Sequence, residues 1–301
     1  MIIVNNSTSA AGIGKNYFKN PNFQVIQGTA SGTLANSTAL PTASLGYLGE
    51  TEWGIAAAGG TPAYAFSSAN ESVTFTGAAS TTAIYLLQRL ESRDITTLAN
   101  KLATITFSAE ISNSLLTSVI WEVFRPTTTA DTHGTIGTPT QTLIASGTFT
   151  VNSTLTKYSA TFTLPALAAN GLEVRLRVGA QTSGTWVVSR LQLEEGSVAT
   201  NFICDDYLTE LNQCQRYFRR LSDYLYVYFG TTGVLNSERM HLNMFGTTRI
   251  RNLIAQNSIG GTGVTISAGL NEDSTRANYI NNAGAGYYGG NPLYTVSAHI
   301  P

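Results

Sequence analysis

Residues 172–178, Leu-Glu-Val-Arg-Leu-Arg-Val, alternate apolar and charged side chains along their whole length. Successive side chains of a β-strand point to opposite faces, so this alternation predicts a strand with one buried and one solvated face. The solvated face would carry Glu173, Arg175 and Arg177. The segment therefore predicts a sheet that covers a core on one side only.

The same alternation recurs on both sides of this segment, and clusters of Gly, Asn, Ser and Thr separate the repeats. Further strands are predicted at residues 72–76, 83–89, 105–111, 119–123, 158–164 and 187–193. Many short alternating strands are typical of an antiparallel two-sheet sandwich. Residues 127–137 have no apolar period and predict a long surface loop, a type that is often functional.

The apolar period changes near residue 205. Apolar residues at positions 208, 211, 214 and 218 form a helical stripe. Asp205 and Asp206 are placed to cap its N-terminus. The pattern predicts one connecting α-helix at 204–221, between an N-terminal region (an arm at 1–15 and a sandwich at 16–203) and a small C-terminal β domain at 222–301. Strands of that domain are predicted at 224–229, 239–245, 263–268 and 293–300.

The charge distribution excludes some partners. Charged residues make up only 12% of the 301 residues, and the net charge is −1. Nucleic-acid binding requires concentrated positive charge, but the basic residues are scattered, so no nucleic acid is expected. No apolar run approaches the length of a membrane span and no secretion-type leader opens the sequence, so membrane insertion is not expected either.

The C-terminal region is poor in charge and rich in aromatic residues. After Arg251 only Glu272, Asp273 and Arg276 are charged. A domain of about 80 residues with this composition is marginal alone. The composition therefore predicts an oligomer whose copies bury aromatic faces against one another.

The two cysteines, Cys204 and Cys214, fit no metal-binding pattern, because no neighbouring Cys or His completes a four-ligand set. We expect two free thiols, at least one of them buried, with a disulfide as the alternative.

The carboxylates do not form an obvious catalytic pair. Glycoside hydrolysis needs two carboxylates that face one another. The adjacent Glu194 and Glu195 would point to opposite faces of a strand, and Glu50 and Glu52 have no matching partner. No nucleophile elbow or phosphate-binding Gly-rich loop is present. The sequence therefore predicts a protein that is not an enzyme.

The three histidines, His133, His241 and His299, lie far apart and have no metal or triad spacing. His133 lies beside Asp131 in the predicted loop. We expect it to be a solvated loop histidine, with metal or ligand binding as the alternative.

Several segments resemble phage and prophage tail-fibre proteins that carry a carbohydrate-binding-module-like jelly roll and a C-terminal trimeric β domain. The segments are Asn-Tyr-Phe-Lys-Asn-Pro-Asn-Phe (16–23), Tyr-Leu-Leu-Gln-Arg-Leu-Glu (85–91), Thr-Trp-Val-Val-Ser-Arg-Leu-Gln-Leu-Glu-Glu-Gly-Ser-Val-Ala-Thr-Asn-Phe (185–202), Glu-Leu-Asn-Gln-Cys-Gln-Arg-Tyr-Phe (210–218) and Tyr-Thr-Val-Ser-Ala-His-Ile (294–300). The block from Leu-Glu-Glu-Gly-Ser to Cys-Gln-Arg-Tyr-Phe is the most specific of these. The resemblance covers nearly the whole chain after residue 15.

The resemblance implies an all-β protein in which residues 16–203 form an antiparallel jelly-roll β-sandwich. It also implies a homotrimer in the virion, as a tail fibre or on the capsid surface, assembled in the host cytoplasm. The N-terminal arm would attach to other virion proteins, and the assembled oligomer would bind host cell-surface polysaccharide for adhesion. Three weak sites on one particle would bind with avidity.

The resemblance bears on metal binding as well. Modules of the broader carbohydrate-binding class often hold a structural calcium ion through acidic residues after the opening Phe and before the closing strand. Here those positions are Gln24 and Ser189, whereas calcium prefers several anionic oxygen ligands. No cofactor is therefore expected.

Glycan sites combine an exposed aromatic ring with polar partners. Trp53, Trp186, Tyr287 and Tyr288 are the candidate carbohydrate-binding residues. The alternatives are core packing for both tryptophans and packing between subunits for both tyrosines.

Two rival functions remain open. One is a purely structural capsid head fibre or decoration protein, and the other is a polysaccharide depolymerase. The first differs in its location on the particle, and the second requires two opposed carboxylates in a groove.

Overall fold

The computed structural model describes residues 14–39 and 51–215 in full, and beyond residue 215 the backbone of eight strands. The chain divides between Leu211 and Asn212 into two compact units. This division falls inside the predicted linking helix. Most of the predicted N-terminal arm, residues 1–13, lies outside the described residues.

The first unit is a sandwich of two antiparallel sheets. One sheet has six strands in the order β1-β3-β4-β11-β6-β9, and the other has five in the order β2-β5-β10-β7-β8. The strands are β1 (Ser31–Thr33), β2 (Gly54–Ala58), β3 (Ala63–Ser67), β4 (Ser72–Thr76), β5 (Ala83–Leu90), β6 (Thr104–Asn113), β7 (Ser118–Pro126), β8 (Gln141–Thr150), β9 (Thr156–Thr163), β10 (Leu172–Val178) and β11 (Thr185–Glu195). The predicted all-β, two-sheet fold is confirmed.

Strand β10, the segment with the clearest alternation, is the central strand of the five-stranded sheet. Its four aliphatic side chains are buried in the core between the sheets. On the neighbouring strand β7, Trp121 faces the same core and lies against Gly147 of β8. A Cβ at Gly147 would come within 2.8 Å of the Trp121 indole nitrogen, so only glycine lets these two strands pair around the ring.

Six of the other ten sandwich strands overlap the sequence predictions, whereas β1, β2, β3 and β8 are not predicted. Strand β8 is the longest of these four. Its sequence, Gln-Thr-Leu-Ile-Ala-Ser-Gly-Thr-Phe-Thr, contains the glycine that Trp121 requires and has few large apolar residues. The register shift between Val123 and Phe124 further disturbs the alternation along this strand pair.

Two α-helices are described, and the sequence predicts only the second. Helix α1 (Ser92–Asn100) buries Ile95, Leu98 and Ala99 and packs against a 3-10 helix, Ala166–Asn170. Its N-terminus is capped from a distant loop, because Asp131 accepts hydrogen bonds from the Ser92 backbone N–H and hydroxyl at 2.7 and 3.0 Å. A cap supplied from far along the chain leaves no local sequence signal.

Helix α2 (Tyr207–Gln215) begins as predicted. Asp206 caps it by accepting hydrogen bonds from the backbone N–H groups of Leu208 and Thr209 at 3.0 and 3.2 Å. The helix is shorter than predicted, because residues 218–222 pair as a strand. Within the fully described ranges, neither helix has the length and apolar character that crossing a bilayer requires.

The second unit contains three small antiparallel sheets, ordered β12-β19-β15, β13-β18 and β14-β17-β16. Its strands are β12 (Phe218–Ser222), β13 (Leu225–Phe229), β14 (Leu235–Met240), β15 (Asn252–Gln256), β16 (Val264–Asn271), β17 (Ser274–Asn281), β18 (Gly286–Gly290) and β19 (Leu293–Ser297). The predicted C-terminal strands overlap β13, β14, β16 and β19.

Cys204 and Cys214 are not joined in a disulfide, and Cys214 is buried. This confirms the expected pair of unlinked cysteines.

Candidate functional site

The outer face of the five-stranded sheet concentrates the charged residues of the sandwich. Register places the outward side chains of β5, β10 and β7 in three successive rows across the sheet. The rows are Tyr85–Arg177–Ile120, Leu87–Arg175–Glu122 and Arg89–Glu173–Phe124. In a chain with 12% charged residues, five charges in nine neighbouring positions form a distinct polar surface.

Exposure increases along β10 from one end of this surface to the other. The exposed fraction of the side chain is 0% for Glu173, 9% for Arg175 and 32% for Arg177. The surface therefore has a buried end, centred on Glu173, and an open end, centred on Arg177.

The buried end is a saturated hydrogen-bond network around Glu173. Its Oε2 accepts hydrogen bonds from Arg89 Nε at 2.8 Å and Gln141 Nε2 at 2.7 Å, and its Oε1 accepts one from Arg175 Nε at 3.0 Å. Burial alone would raise the pKa of Glu173, but the charges of Arg175 and Arg89 outweigh it and lower the pKa to about 2. Glu173 is thus ionised at neutral pH.

The predicted loop covers this buried end. It connects β7 to β8 and reaches across the sheet to β5, where Arg89 Nη2 donates to the Gly134 carbonyl at 2.6 Å. Farther along, the Gly137 N–H donates to the Thr38 carbonyl at 2.6 Å. The loop is therefore tied to the sandwich at several points.

His133 lies beneath this loop and is fully buried. The expectation of a solvated histidine is wrong, because the loop folds back over the sheet. Its Nδ1 lies 3.2 Å from Gln141 Nε2, which makes Nδ1 the acceptor, while its Nε2 has no hydrogen-bond partner. Burial lowers the pKa of His133 to about 4, with the nearby arginine charges acting in the same direction and Glu173 opposing them.

The open end contains a guanidinium with free donors. Arg177 Nε lies 3.8 Å from Glu122 Oε2, which is too long for a hydrogen bond, and the Arg177 guanidinium donates no hydrogen bond to any described residue. The same Glu122 oxygen lies 3.8 Å from Arg175 Nη1 and has no hydrogen-bond partner.

Tyr85 and Ile120 flank Arg177 on the two adjacent strands and are half-buried. Thr148, the partner of Ile120 on β8, is exposed. We name these five residues, Tyr85, Ile120, Glu122, Thr148 and Arg177, the Arg177 patch. The patch combines a guanidinium, a carboxylate, a hydroxyl and a phenol ring, which are the groups that bind hydroxyl-rich ligands.

The predicted site residue Trp53 is not available to a ligand. It is 1% exposed, lies between Phe18 and Phe23 with ring centroids 5.2 and 5.5 Å away, and donates its indole N–H to the Asn20 carbonyl at 3.0 Å. The alternative role in the core is the one observed, because the opening segment folds over the indole and satisfies its single donor.

Trp186 is likewise a core residue. It is fully buried and stacks on Phe75 of the adjacent strand, with the ring centroids 4.8 Å apart. The alternative of core packing is the one observed, because Trp186 and Val188 lie on the face of β11 that is turned to the core. Tyr287 and Tyr288 lie on β18, paired with β13, and their side chains lie outside the described residues.

The positions compared with a calcium site do not fit calcium. Ser189 donates its hydroxyl to the Glu71 carbonyl at 2.7 Å, and Gln24 hydrogen-bonds to the Glu71 carboxylate. The cation that faces Glu71 is the Arg190 guanidinium, at 2.6 Å. Within residues 14–39 and 51–215, no group of three or more His, Cys, Asp or Glu side chains is arranged to hold a metal ion.

The alternation along residues 172–178 predicts that Glu173, Arg175 and Arg177 share an outer face, but it does not identify that face as a site. A usable signal is present: three charges on one face of a strand in a charge-poor chain. The contribution of Tyr85 and Glu122 could not be found without the strand order, because they lie far from Arg177 in sequence.

No family model and no curated protein matches the sequence. The structure is similar to a family 4 carbohydrate-binding module (14% identity, TM-score 0.37, covering 57% of this chain and 99% of the module). It is also similar to the module TmCBM61, solved in complex with β-1,4-galactotriose (12%, 0.33, 60% and 99%). A third similar structure is the enzymatically active domain of tailspike protein 4 from bacteriophage CBA120 (11%, 0.35), where the match covers 53% of this chain and only 21% of that one. At such identities and TM-scores, none of the three assigns a ligand or an activity to this chain.

Proposed function

We propose that the chain is a non-enzymatic glycan-binding protein, and that the glycan binds at the Arg177 patch. The observation that carries the proposal is the arrangement at the open end: a partly exposed guanidinium that makes no side-chain hydrogen bond, next to a half-buried phenol ring and a half-buried carboxylate residue. A sugar offers an apolar C–H face to the ring and hydroxyls to the charged groups.

The second part of the proposal is that the protein acts in a phage particle, as a tail fibre or receptor-binding protein. The sequence segments that resemble tail-fibre proteins support this part, together with the charge-poor, aromatic-rich C-terminal region. A homotrimer would present three Arg177 patches to one cell surface. Linked weak sites gain avidity of about 10²- to 10⁴-fold over a single site.

The absence of catalysis is proposed from the chemistry of the outer face. Glycoside hydrolysis needs one carboxyl group that holds a proton and a second that stays ionised. Glu173 cannot hold a proton at neutral pH, because the pKa is lowered to about 2 and both oxygens accept hydrogen bonds. Glu122 is then left without a partner acid among the outward residues of the three rows.

The test is binding of the purified full-length chain to a glycan array and to a panel of bacterial cells. Truncation of the ring in Tyr85→Ala should weaken retention about 3- to 10-fold. Ser159→Ala, an exposed change on the other sheet, is the matched control and should bind as the wild type does.

Binding to no glycan and no cell type would refute the glycan-binding proposal. Shortening of a bound polysaccharide during incubation would instead support the depolymerase alternative and refute the non-enzymatic one. Localisation of the chain to the capsid, without cell binding, would favour a decoration protein.

A further inference from the structure

We infer that the ligand of the Arg177 patch is an acidic glycan whose carboxylate binds the Arg177 guanidinium. This inference rests on the proposed glycan-binding function and adds the chemical class of the ligand. It is carried by the charge count and the geometry of the outer face, and not by any relative.

The outer face holds more positive than negative charge. Its three rows contain three guanidiniums, of Arg89, Arg175 and Arg177, and two carboxylates, of Glu122 and Glu173. Glu173 is fully engaged by Arg89 and Arg175 at the buried end. The one remaining carboxylate, that of Glu122, lies at equal distance from Arg175 and Arg177.

Glu122 forms a long ion pair with Arg177 but makes no hydrogen bond to it. Its Oε2 lies 3.8 Å from Arg175 Nη1 and 3.8 Å from Arg177 Nε, so it lies between the two guanidiniums and is hydrogen-bonded to neither. Arg175 has other partners, since its guanidinium also hydrogen-bonds to Gln141 and packs over the Phe124 ring at 4.5 Å. The three rows therefore carry one net positive charge, and that charge is most accessible at Arg177, the most exposed of the three arginines.

The surroundings of Arg177 favour an anion with two oxygens. A guanidinium presents a planar fork of N–H donors that matches a carboxylate in a bidentate arrangement. Tyr85 and Ile120 on either side limit water access to one part of the fork, which strengthens an ion pair formed there. A neutral sugar would use the same donors but would leave the excess charge in place.

The experiment uses the full-length chain and matched pairs of oligosaccharides. Each pair consists of a uronic-acid oligosaccharide and the same oligosaccharide with its carboxyl groups reduced to alcohols, and a sulfated neutral oligosaccharide forms a third arm. The wild type should bind the uronic-acid form about 10- to 100-fold more tightly than the reduced form. This preference should shrink as salt concentration rises.

Three variants sharpen the test. Arg177→Gln should abolish the preference for the acidic form, whereas Arg93→Gln, which removes an exposed arginine of α1, should leave it unchanged. Glu122→Gln should act in the opposite direction and tighten acidic binding about 3- to 10-fold, because it removes a competing negative charge. Thermal unfolding of each variant checks that the fold is kept.

The outcomes separate the inference from the proposed function. Equal binding of the acidic and reduced forms, or a preference that survives in Arg177→Gln, would overturn the acidic-ligand inference while glycan binding stands. Equal binding of the sulfated and uronic-acid forms would overturn the assignment to a carboxylate. Binding to none of the oligosaccharides on the panel or the array would overturn the proposed function itself.

Discussion

Two arginine-centred clusters lie on the two sheets of the sandwich, and they differ chiefly in burial. On the five-stranded sheet, Arg89 and Arg175 enclose Glu173, and all three are buried. On the six-stranded sheet, Arg190 lies 2.6 Å from Glu71 and 3.5 Å from Glu110, with 45% of its side chain exposed. Both clusters consist of guanidiniums and carboxylates, two to one in the buried cluster and one to two in the exposed one, and their burial differs most.

Burial changes the energetic role of such a cluster. Water screens an exposed pair and competes for its hydrogen bonds, so the pair contributes little to stability. A buried pair gains little net energy from its formation, but removal of one member leaves an uncompensated charge inside the protein. The buried cluster is therefore a point where single substitutions are costly, whereas the exposed cluster tolerates them.

The largest effect is expected for Glu173→Gln. The change removes the carboxylate that lies between the buried guanidiniums of Arg89 and Arg175 and should lower the free energy of unfolding by about 3–5 kcal/mol. Chemical denaturation followed by intrinsic fluorescence measures this difference. A loss below about 1 kcal/mol would show that water reaches the cluster, and the contrast between the sheets would fail.

A second buried carboxylate, that of Glu210, lies away from the arginines and extends the comparison to the pKa of a glutamate. Glu210 on α2 accepts a hydrogen bond from the Asn20 backbone N–H at 2.6 Å, and burial raises the pKa of Glu210 to about 7, with the charge of Asp205 adding to the shift. Glu173, surrounded by guanidiniums, has its pKa lowered. The same residue type is thus shifted in opposite directions by its partners.

The two glutamates should consequently give opposite pH dependences. The folded state binds the Glu210 proton more tightly than the unfolded state does, so its contribution is complete below pH 4.5 and is lost as the pH rises to about 7. Glu210→Gln should remove a fall in stability of about 2–3 kcal/mol over that interval. Unfolding curves at several pH values provide the measurement, and an unchanged pH profile in the variant would contradict the assignment.

For Glu173 the sign is reversed. Its contribution is present above pH 4.5 and is lost as the pH falls towards 2. His133 acts in the same direction, because its lowered pKa means that stability is lost as the pH falls from 6.5 to about 4. Acid should therefore destabilise the buried end of the outer face.

The smallest effect is expected for Arg190→Gln. Loss of this exposed guanidinium should cost less than about 1 kcal/mol, and the cost should vanish at high salt. Arg190 has a φ of 45° at the register shift of β11. The variant Arg190→Gly is therefore a useful control, because glycine adopts this φ without strain but does not restore the ion pair. A cost of several kcal/mol for Arg190→Gln would show that exposure is not what separates the two clusters.

The strands of the sandwich were predictable because burial imposes a period of two on them, and β10 is the clearest example. Helix α1 was not, because Asp131 caps it from a loop that is distant in sequence. The site was harder still. Trp53 looked exposed in a polar, Gly-flanked context, yet the opening segment packs over it, and no local pattern reports that contact.

The Arg177 patch could not be predicted from the sequence either, because its residues come from different strands. Arg177 and Glu122 both fall on outward positions in the sequence, but their neighbourhood depends on the strand order, which places β10 between β5 and β7. Alternation indicates which way a side chain points and does not indicate which strand lies beside it.

The loop between β7 and β8 has a consequence for a ligand that extends from the Arg177 patch to the buried end of the outer face. Hydrogen bonds fix it to Ser92, Arg89 and Thr38 before any ligand arrives. Ordering a flexible segment costs roughly 1–2 kcal/mol per residue, and this segment has already met that cost during folding. A ligand that docks alongside it therefore meets a rigid wall and loses none of its binding energy to loop closure.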